Sequence, residues 1–560
     1  VFSIGSERQR LAYIRRITAA YHQFLALANQ PSLAGSVEAV QAAFNLVLQR
    51  KGLGAEALAA QREAIWAGTE PARQRQLAQL TTLRQQIAQT TLAGPGSEPL
   101  QLYRERLNAW QAERERLEVT LAGQIPELAL ARKLQAADRA SLAQALPAGA
   151  NLVEFVRYLP VDFTAGPVEA PPAAHPARYL AFILPAGQAE AVGMIDLGEA
   201  GPIDQLIADF RGSITGEAER RSGDGVTRLG KPRLQAEPAQ PASQPAGPAL
   251  QQALLAPLTP FLAGKQLLIA PDGDLSRLPF EVLPGPAGPL LQSYQLSYLS
   301  TGRDVLAFAV GPGGQATDPC VIADPDFDLA EAGAQPQEPA LRLTMRFDRL
   351  AGTRREGEQV GKLLGVTPWL ADQALKGRLT GLTSPRILHI ASHGFFLPGR
   401  AGPAPENGDR LSQLAGQVDN PLLRSGLALA GINTWNSKRE LPAEAGNGLL
   451  TAEDVSGWDL RATELVVLSA CETGLGQVEI GEGVLGLRRA FVLAGAKTLV
   501  MSLWQVPDQQ TQQLMAKFYE QLGQGSAAAM ALRTAQLALA KSWPNPFYWG
   551  AFICQGDPGR

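Results

Sequence analysis

The sequence predicts an α/β protein: an open, mostly parallel sheet with helices on both faces, preceded by an all-helical N-terminal region. Three observations carry this. Apolar residues recur at three- and four-residue spacing through the first part of the chain. Near residue 150 the pattern changes to short runs of branched and aromatic side chains, and from 266 onward apolar runs of strand length alternate with helical segments. Continuous apolar strands without polar alternation are what a parallel sheet covered on both faces requires.

The elements follow in order. Ile14, Ile17, Tyr21 and Phe24 mark the apolar face of one helix, and Val37, Val40, Phe44 and Val47 that of a second. Leu77, Leu80, Leu83 and Ile87 mark a third. Tyr103, Leu107, Trp110, Leu117 and Leu121 mark a fourth, opening after Ser97 with Pro99 in its first turn and closing near Gly123. No repeat of fixed period is present, so this segment is not itself a solenoid. LVEFVRY (152–158) and RYLAFIL (178–184) then read as strands. The organisation expected is a helical spacer over 1–146 and an α/β domain over 147–560. Residues 216–249, rich in Pro, Gly, Ala and charge with little to bury, interrupt the domain as a mobile insertion or linker. Beyond it come QLLIA (266–270), VIA (321–323), ILHIAS (387–392), LVVLSA (465–470) and TLVMSLW (498–504), with FYWGAFIC (547–554) as the closing strand.

Composition excludes several classes. The net charge is -3, and Arg104, Arg106, Arg114 and Arg116 alternate with Glu105, Glu113, Glu115 and Glu118, a solvated helix face and not a nucleic-acid patch. No apolar run reaches the roughly 18 to 20 residues that span a bilayer, and Lys497 interrupts the most hydrophobic stretch, so no membrane partner is expected. The start, VFSIGSERQR, has neither an initiator Met nor a signal-peptide pattern, which suggests a natural beginning upstream. Three scattered cysteines form neither a disulfide framework nor a CxxC, and a reducing cytoplasm fits them. No metal is expected: Asp324, Asp326 and Asp328 alternate in VIADPDFD, but the Gly and distant Glu of a calcium loop are missing. No cofactor is expected either. Gly481, Gly483 and Gly486 spell G-x-G-x-x-G with Asp508 downstream, yet ten residues separate the strand from the first glycine and Glu482 would repel a pyrophosphate. A P-loop and a G-x-S-x-G elbow are absent.

Chemistry concentrates at two strand ends. RILHIASHG places His393 at the end of one buried strand and ELVVLSACETG places Cys471 at the end of another. Sites in open α/β sheets assemble outside the carboxyl ends of the strands, so both residues are expected at one edge. An imidazole that takes a thiol's proton and returns it to a leaving amine is the recurrent way to make cysteine a catalytic nucleophile. Of the other histidines, His22 lies in the first helix, His175 in a Pro-rich stretch, and His389 about 13 Å down the strand from His393 as a core residue. Cys320 and Cys554 read as small buried hydrophobes. The Gly394 and Cys471 N–H groups are candidates for an oxyanion hole. Glu472 is adjacent to Cys471 and points elsewhere, so a dyad is expected, its imidazole oriented by a backbone carbonyl.

The blocks LHIASHGFF, VVLSACETGLGQVEIGEGVLGLRRAFVLAGAKTLVMSLWQVPD, IAPDGDLSRLPFEVL and LAGTRREGEQV resemble the CHAT family, a caspase-like domain commonly found behind tetratricopeptide repeats. The resemblance runs from about residue 150 to the C-terminus. It implies the caspase-hemoglobinase fold, cysteine endopeptidase activity on a protein substrate, His393 as base and Cys471 as nucleophile. It also implies regulation by an upstream repeat region or a partner protein, as in bacterial-type signalling or defence. The alternative is a signalling or scaffold module of the same fold that binds without cutting. In that fold the end of the first core strand contributes to the pocket for the residue before the cut, which points to Asp324 or Asp326 and a preference for Lys or Arg; otherwise these aspartates cap a turn. The polar loops 400–420 and 433–448 are expected to be mobile lids.

Overall fold

A computed structural model of the chain describes residues 7–54, 56–59, 71–94, 98–122, 134, 136–161, 175–216, 246–262, 264–309, 313–329, 346–396, 421–437, 439–470, 477–479 and 483–559. Most of the linker expected at 216–249 and all of the lid expected at 400–420 therefore lie outside the described residues. The N-terminal helices are α1 (Glu7–Ala28), α2 (Val37–Arg50), α3 (Pro71–Ala93), α4 (Leu100–Ala122) and α5 (Arg139–Ala145). Ser36 caps α2 by accepting the Ala39 N–H, and Val40, Phe44 and Val47 are buried on its inward face.

Eleven strands form one sheet: β1 (Ala150–Tyr158), β2 (Arg178–Pro185), β3 (Gly193–Glu199), β4 (Gln266–Ala270), β5 (Gln295–Tyr298), β6 (Cys320–Pro325), β7 (Trp369–Ala371), β8 (Ile387–Ser392), β9 (Leu465–Ala470), β10 (Thr498–Ser502) and β11 (Phe552–Gly556). Their order across the sheet is β3-β2-β1-β4-β5-β11-β10-β9-β8-β6-β7. Pairing is parallel through β1, β4, β5 and β11, and parallel again through β10, β9, β8, β6 and β7. The two blocks meet antiparallel at β11 and β10. The carboxyl ends of β4 and β5 thus open on the edge opposite to those of β8 and β9. Every residue of β8 and β9 is buried, which requires cover on both faces. Helices α6 (Ala200–Thr215), α7 (Ala351–Leu364), α8 (Leu487–Ala494), α9 (Asp508–Gly523) and α10 (Ala528–Ser542) contribute that cover.

The boundary drawn at 146 falls between α5 and β1, but it does not separate two cores. Leu25, Phe44, Val47, Leu48 and Leu142 from the helices pack with Leu152, Val156, Phe182 and Leu268 from the strands. Polar groups reinforce the seam. Lys51, at the end of α2 and fully buried, donates to Glu154 Oε1 at 2.7 Å and to the carbonyls of Phe155 and Ala270 at 2.9 Å each. Burial pushes the Glu154 carboxyl above its ordinary range, and Lys51 pulls it back. Arg303 donates to the carbonyls of Leu48 and Lys51. Helices α1, α2 and α5 are therefore part of the sheet's packing, and an unpaired charge at the depth of Lys51 is costly. Lys51→Ala is expected to destabilise the chain by roughly 3–5 kcal/mol, read as a lower denaturant midpoint; a midpoint within error of wild type would mean that the helices and sheet are energetically separate.

Candidate active site

β8 ends at Ser392 and β9 at Ala470, and the parallel register makes these two residues partners. The next positions are His393 and Cys471. Cys471 lies outside the described residues; its covalent neighbour Ala470 is held by the Ser502 hydroxyl, which donates to the Ala470 carbonyl at 2.6 Å. Beyond His393 the chain enters a small antiparallel sheet of Gly394–Phe396, Ser425–Ala428 and Leu449–Thr451. The Ala428 N–H donates to the His393 carbonyl at 2.9 Å, and the Ser392 hydroxyl donates to the Ala428 carbonyl. Gly394 and Leu427 are consequently a non-hydrogen-bonded pair, so the Gly394 N–H points away from the ladder.

The His393 imidazole is half-buried between Phe327 and Phe347, with ring centroids 5.4 and 5.6 Å away. Its Nε2 sits 2.7 Å from the carbonyl oxygen of Asp348. A carbonyl only accepts, so Nε2 carries the proton and Nδ1 is left as the basic nitrogen. Burial pushes the His393 pKa below its ordinary value, while the Asp348 carbonyl and the charges of Asp508 and Asp348 pull it up less strongly. His389, by contrast, is fully buried, with Nδ1 3.1 Å from the Tyr519 hydroxyl and Nε2 at ion-pair distance, 3.2 Å, from Glu356. It is a core residue. Cys320 and Cys554 are buried too, and burial pushes both thiols up to about 12, so neither supplies a thiolate near neutral pH.

From sequence, Asp508 is weighed only as the acid of a dinucleotide fingerprint, which is rejected. A small cavity opens at the carboxyl ends of β8, β9 and β10, lined by Ser392, Ser469, Ala470, Ser502, Trp504 and Asp508 among others. The Ser469 hydroxyl is buried without a hydrogen-bond partner among the described residues. Asp508 opens α9 and accepts the Gly352 N–H at 3.2 Å, and a Cβ at Gly352 would collide with it. The signal for Asp508 was its place in SLWQVPD directly after a strand's carboxyl end, the position at which open sheets collect functional groups.

The acids expected to line the specificity pocket have other partners. Asp324 is buried with φ of 48°, and its carboxylate is gripped by Arg349 through both oxygens at 2.7 Å and by Arg354 Nε at 2.7 Å. It is therefore not a free acid. Asp326 turns back to accept the Asp328 N–H at 3.2 Å, a turn cap. Residues 433–448, expected as a mobile lid, begin at a packed residue: Asn433 accepts the Phe347 N–H at 3.0 Å and donates to its carbonyl at 2.8 Å. Those two bonds hold Asn433 against the aromatic wall of His393. Among the described residues no three His, Cys, Asp or Glu side chains cluster as a metal site, and no helix is long and apolar enough to cross a membrane.

The sheet is open, mostly parallel and covered on both faces, and a histidine follows one of its carboxyl ends. The CHAT domain matches residues 244–557, more than half of the chain, and the chain belongs to the CHAT domain family. Tetratricopeptide repeat protein 28 from mouse is 26% identical over 363 residues and its human counterpart 25% over 360. Each match covers 60% of this chain and 14% of the relative, so the chain spans a small part of those proteins. Among solved structures, the Saccharomyces cerevisiae separase–securin complex matches over 97% of this chain and 40% of that chain, with TM-score 0.41 and 10% identity. The Arg-specific cysteine proteinase gingipain R matches over 53% of this chain and 63% of that chain, with TM-score 0.31 and 8% identity.

A lowered imidazole pKa has a definite sign. Unfolded chains bind a proton at His393 that the folded chain refuses, so folding stability falls as pH drops through about 6.5 toward the folded value. NMR titration of the His393 imidazole should give a midpoint below 6.5, and Phe347→Ala, which admits water to the ring, should move it upward. A midpoint at or above 6.5 in the wild type would contradict the burial argument.

Proposed function

We propose that this chain is a cysteine endopeptidase acting on a protein substrate, with Cys471 as nucleophile and His393 as general base. The observation that carries the reading is the Ser392–Ala470 register, which brings the residues before His393 and Cys471 side by side at one sheet edge, while the Asp348 carbonyl leaves Nδ1 as the free base. In the proposed reaction Nδ1 takes the thiol proton and the sulfur adds to the scissile carbonyl. The oxyanion is stabilised by the N–H groups of Gly394 and Cys471. Collapse breaks the C–N bond as the imidazolium gives its proton to the amine, leaving an acyl-enzyme. Water, deprotonated by His393, then releases the acid and regenerates the thiol.

Asp508 is the residue we assign to recognition of the side chain before the cut. It lines the cavity at the carboxyl ends of β8, β9 and β10, and its charge acts on His393. A carboxylate there favours Lys or Arg through a charge-assisted hydrogen bond. The cavity measures about 30 Å³, room for one or two waters and not for a long basic side chain, so in this form it must widen before substrate enters. The relatives are tetratricopeptide repeat proteins, which supports regulation by such a region upstream or in a partner.

A peptide-library digest tests the reading. Cleavage after Lys or Arg is expected, absent in Cys471→Ala, with kcat/KM lowered roughly 10- to 100-fold for basic substrates in Asp508→Asn and the preference retained in Asp324→Asn. Cleavage by Cys471→Ala would remove the nucleophile assignment. No cleavage by the wild type, together with an unreactive Cys471, would favour a binding module that does not cut.

A further inference from the structure

A second cavity, of about 80 Å³, lies away from the candidate dyad. Its wall comes from three parts of the chain: Gly52 and Glu56 after α2, Pro271 to Asp304 after β4 and β5, and Arg488 and Arg489 on α8. It is thus a crevice outside the carboxyl ends of β4 and β5, the other edge of a sheet whose two parallel blocks run in opposite directions. That is the second place where an open parallel sheet binds ligands.

Arg488 is the unusual group. It is 4% exposed, its Nε donates to Gln555 Oε1, and its guanidinium lies 6.0 Å from the centre of the Tyr298 ring. Among the described residues no carboxylate lies at ion-pair distance from it, and its Nη1 is buried with no hydrogen-bond partner. Burial pushes Arg488 down to about 10, and the charge of Asp304 in the same wall only partly offsets that. Ser276 lines the same cavity, is 2% exposed, and its hydroxyl is also without a partner among the described residues. Two acids also line the wall, Glu56 and Asp304. Glu56 lies 3.8 Å from Arg303, and Asp304, which burial pushes up to about 6, accepts the N–H groups of Ser300 and Thr301. Two orphaned donors, one of them cationic, therefore face one enclosed space.

We propose that this cavity is an oxyanion-binding site that takes inorganic phosphate, or the phosphoryl group of a larger molecule, through Arg488 and Ser276. The ligand's oxygens supply the acceptors both side chains lack, and its charge adds to the partial compensation that Asp304 gives Arg488. Bound there, it bridges the first parallel block to α8, the helix that follows the segment carrying Cys471.

The test uses the whole chain, with inorganic phosphate as ligand at ionic strength held constant with chloride. Calorimetric titration should show saturable binding of one phosphate per chain, and the thermal midpoint should rise with phosphate. Ser276→Ala should weaken binding roughly tenfold, and Arg488→Gln should abolish it. A parallel titration with glycerol phosphate separates the sources: comparable affinity indicates a phosphoryl group on a larger ligand, and much weaker binding indicates the free anion. Should Arg488→Gln not fold, Ser276→Ala decides alone. No saturable binding by the wild type at roughly tenfold above a millimolar affinity, or binding unchanged in Ser276→Ala, overturns the proposal.

Discussion

The candidate site turns on a single hydrogen bond, from His393 Nε2 to the carbonyl of Asp348 at 2.7 Å. Because that partner can only accept, it selects the tautomer, orients the ring and leaves Nδ1 basic. Everything around it maintains the bond. Phe327 and Phe347 shield the imidazole, Asn433 grips the backbone of Phe347 one residue before Asp348, and the small sheet after His393 pins the outgoing chain.

The sheet explains why the chemistry lies where it does. β8 and β9 are buried throughout, so a polar side chain within either strand is cut off from solvent, as His389 is beside Tyr519 and Glu356. A reactive group meets solvent only past the last residue. The antiparallel seam between β11 and β10 then gives the sheet carboxyl ends on both edges, one beside His393 and the other beside Arg488. The N-terminal helices reach the second edge, since Lys51 and Arg303 lock them to it.

Periodicity made much of this legible. The spacing of Val40, Phe44 and Val47 marks α2 and its buried face, and ILHIAS and LVVLSA coincide with β8 and β9. What escaped depends on tertiary contacts or on the main chain. A backbone carbonyl is expected to orient the imidazole, but that it is the one of Asp348 leaves no trace in residue identity. Asp324 looks free in VIADPDFD, and only the fold brings Arg349 and Arg354 onto it. Polar composition suggested a lid at 433–448, yet Asn433 uses its amide to pair with buried backbone. Lys51 and Glu154 had a visible sign, an acid inside the apolar run LVEFVRY, but its partner lies 103 residues away.

The central claim is that His393 activates Cys471, and the rate of alkylation at each cysteine by iodoacetamide, mapped by mass spectrometry, tests it most directly. The account predicts that Cys471 reacts first, that Cys320 and Cys554 stay unmodified while the chain is folded, and that His393→Ala slows Cys471 roughly tenfold or more. Equal rates at Cys471 with and without the imidazole would contradict it.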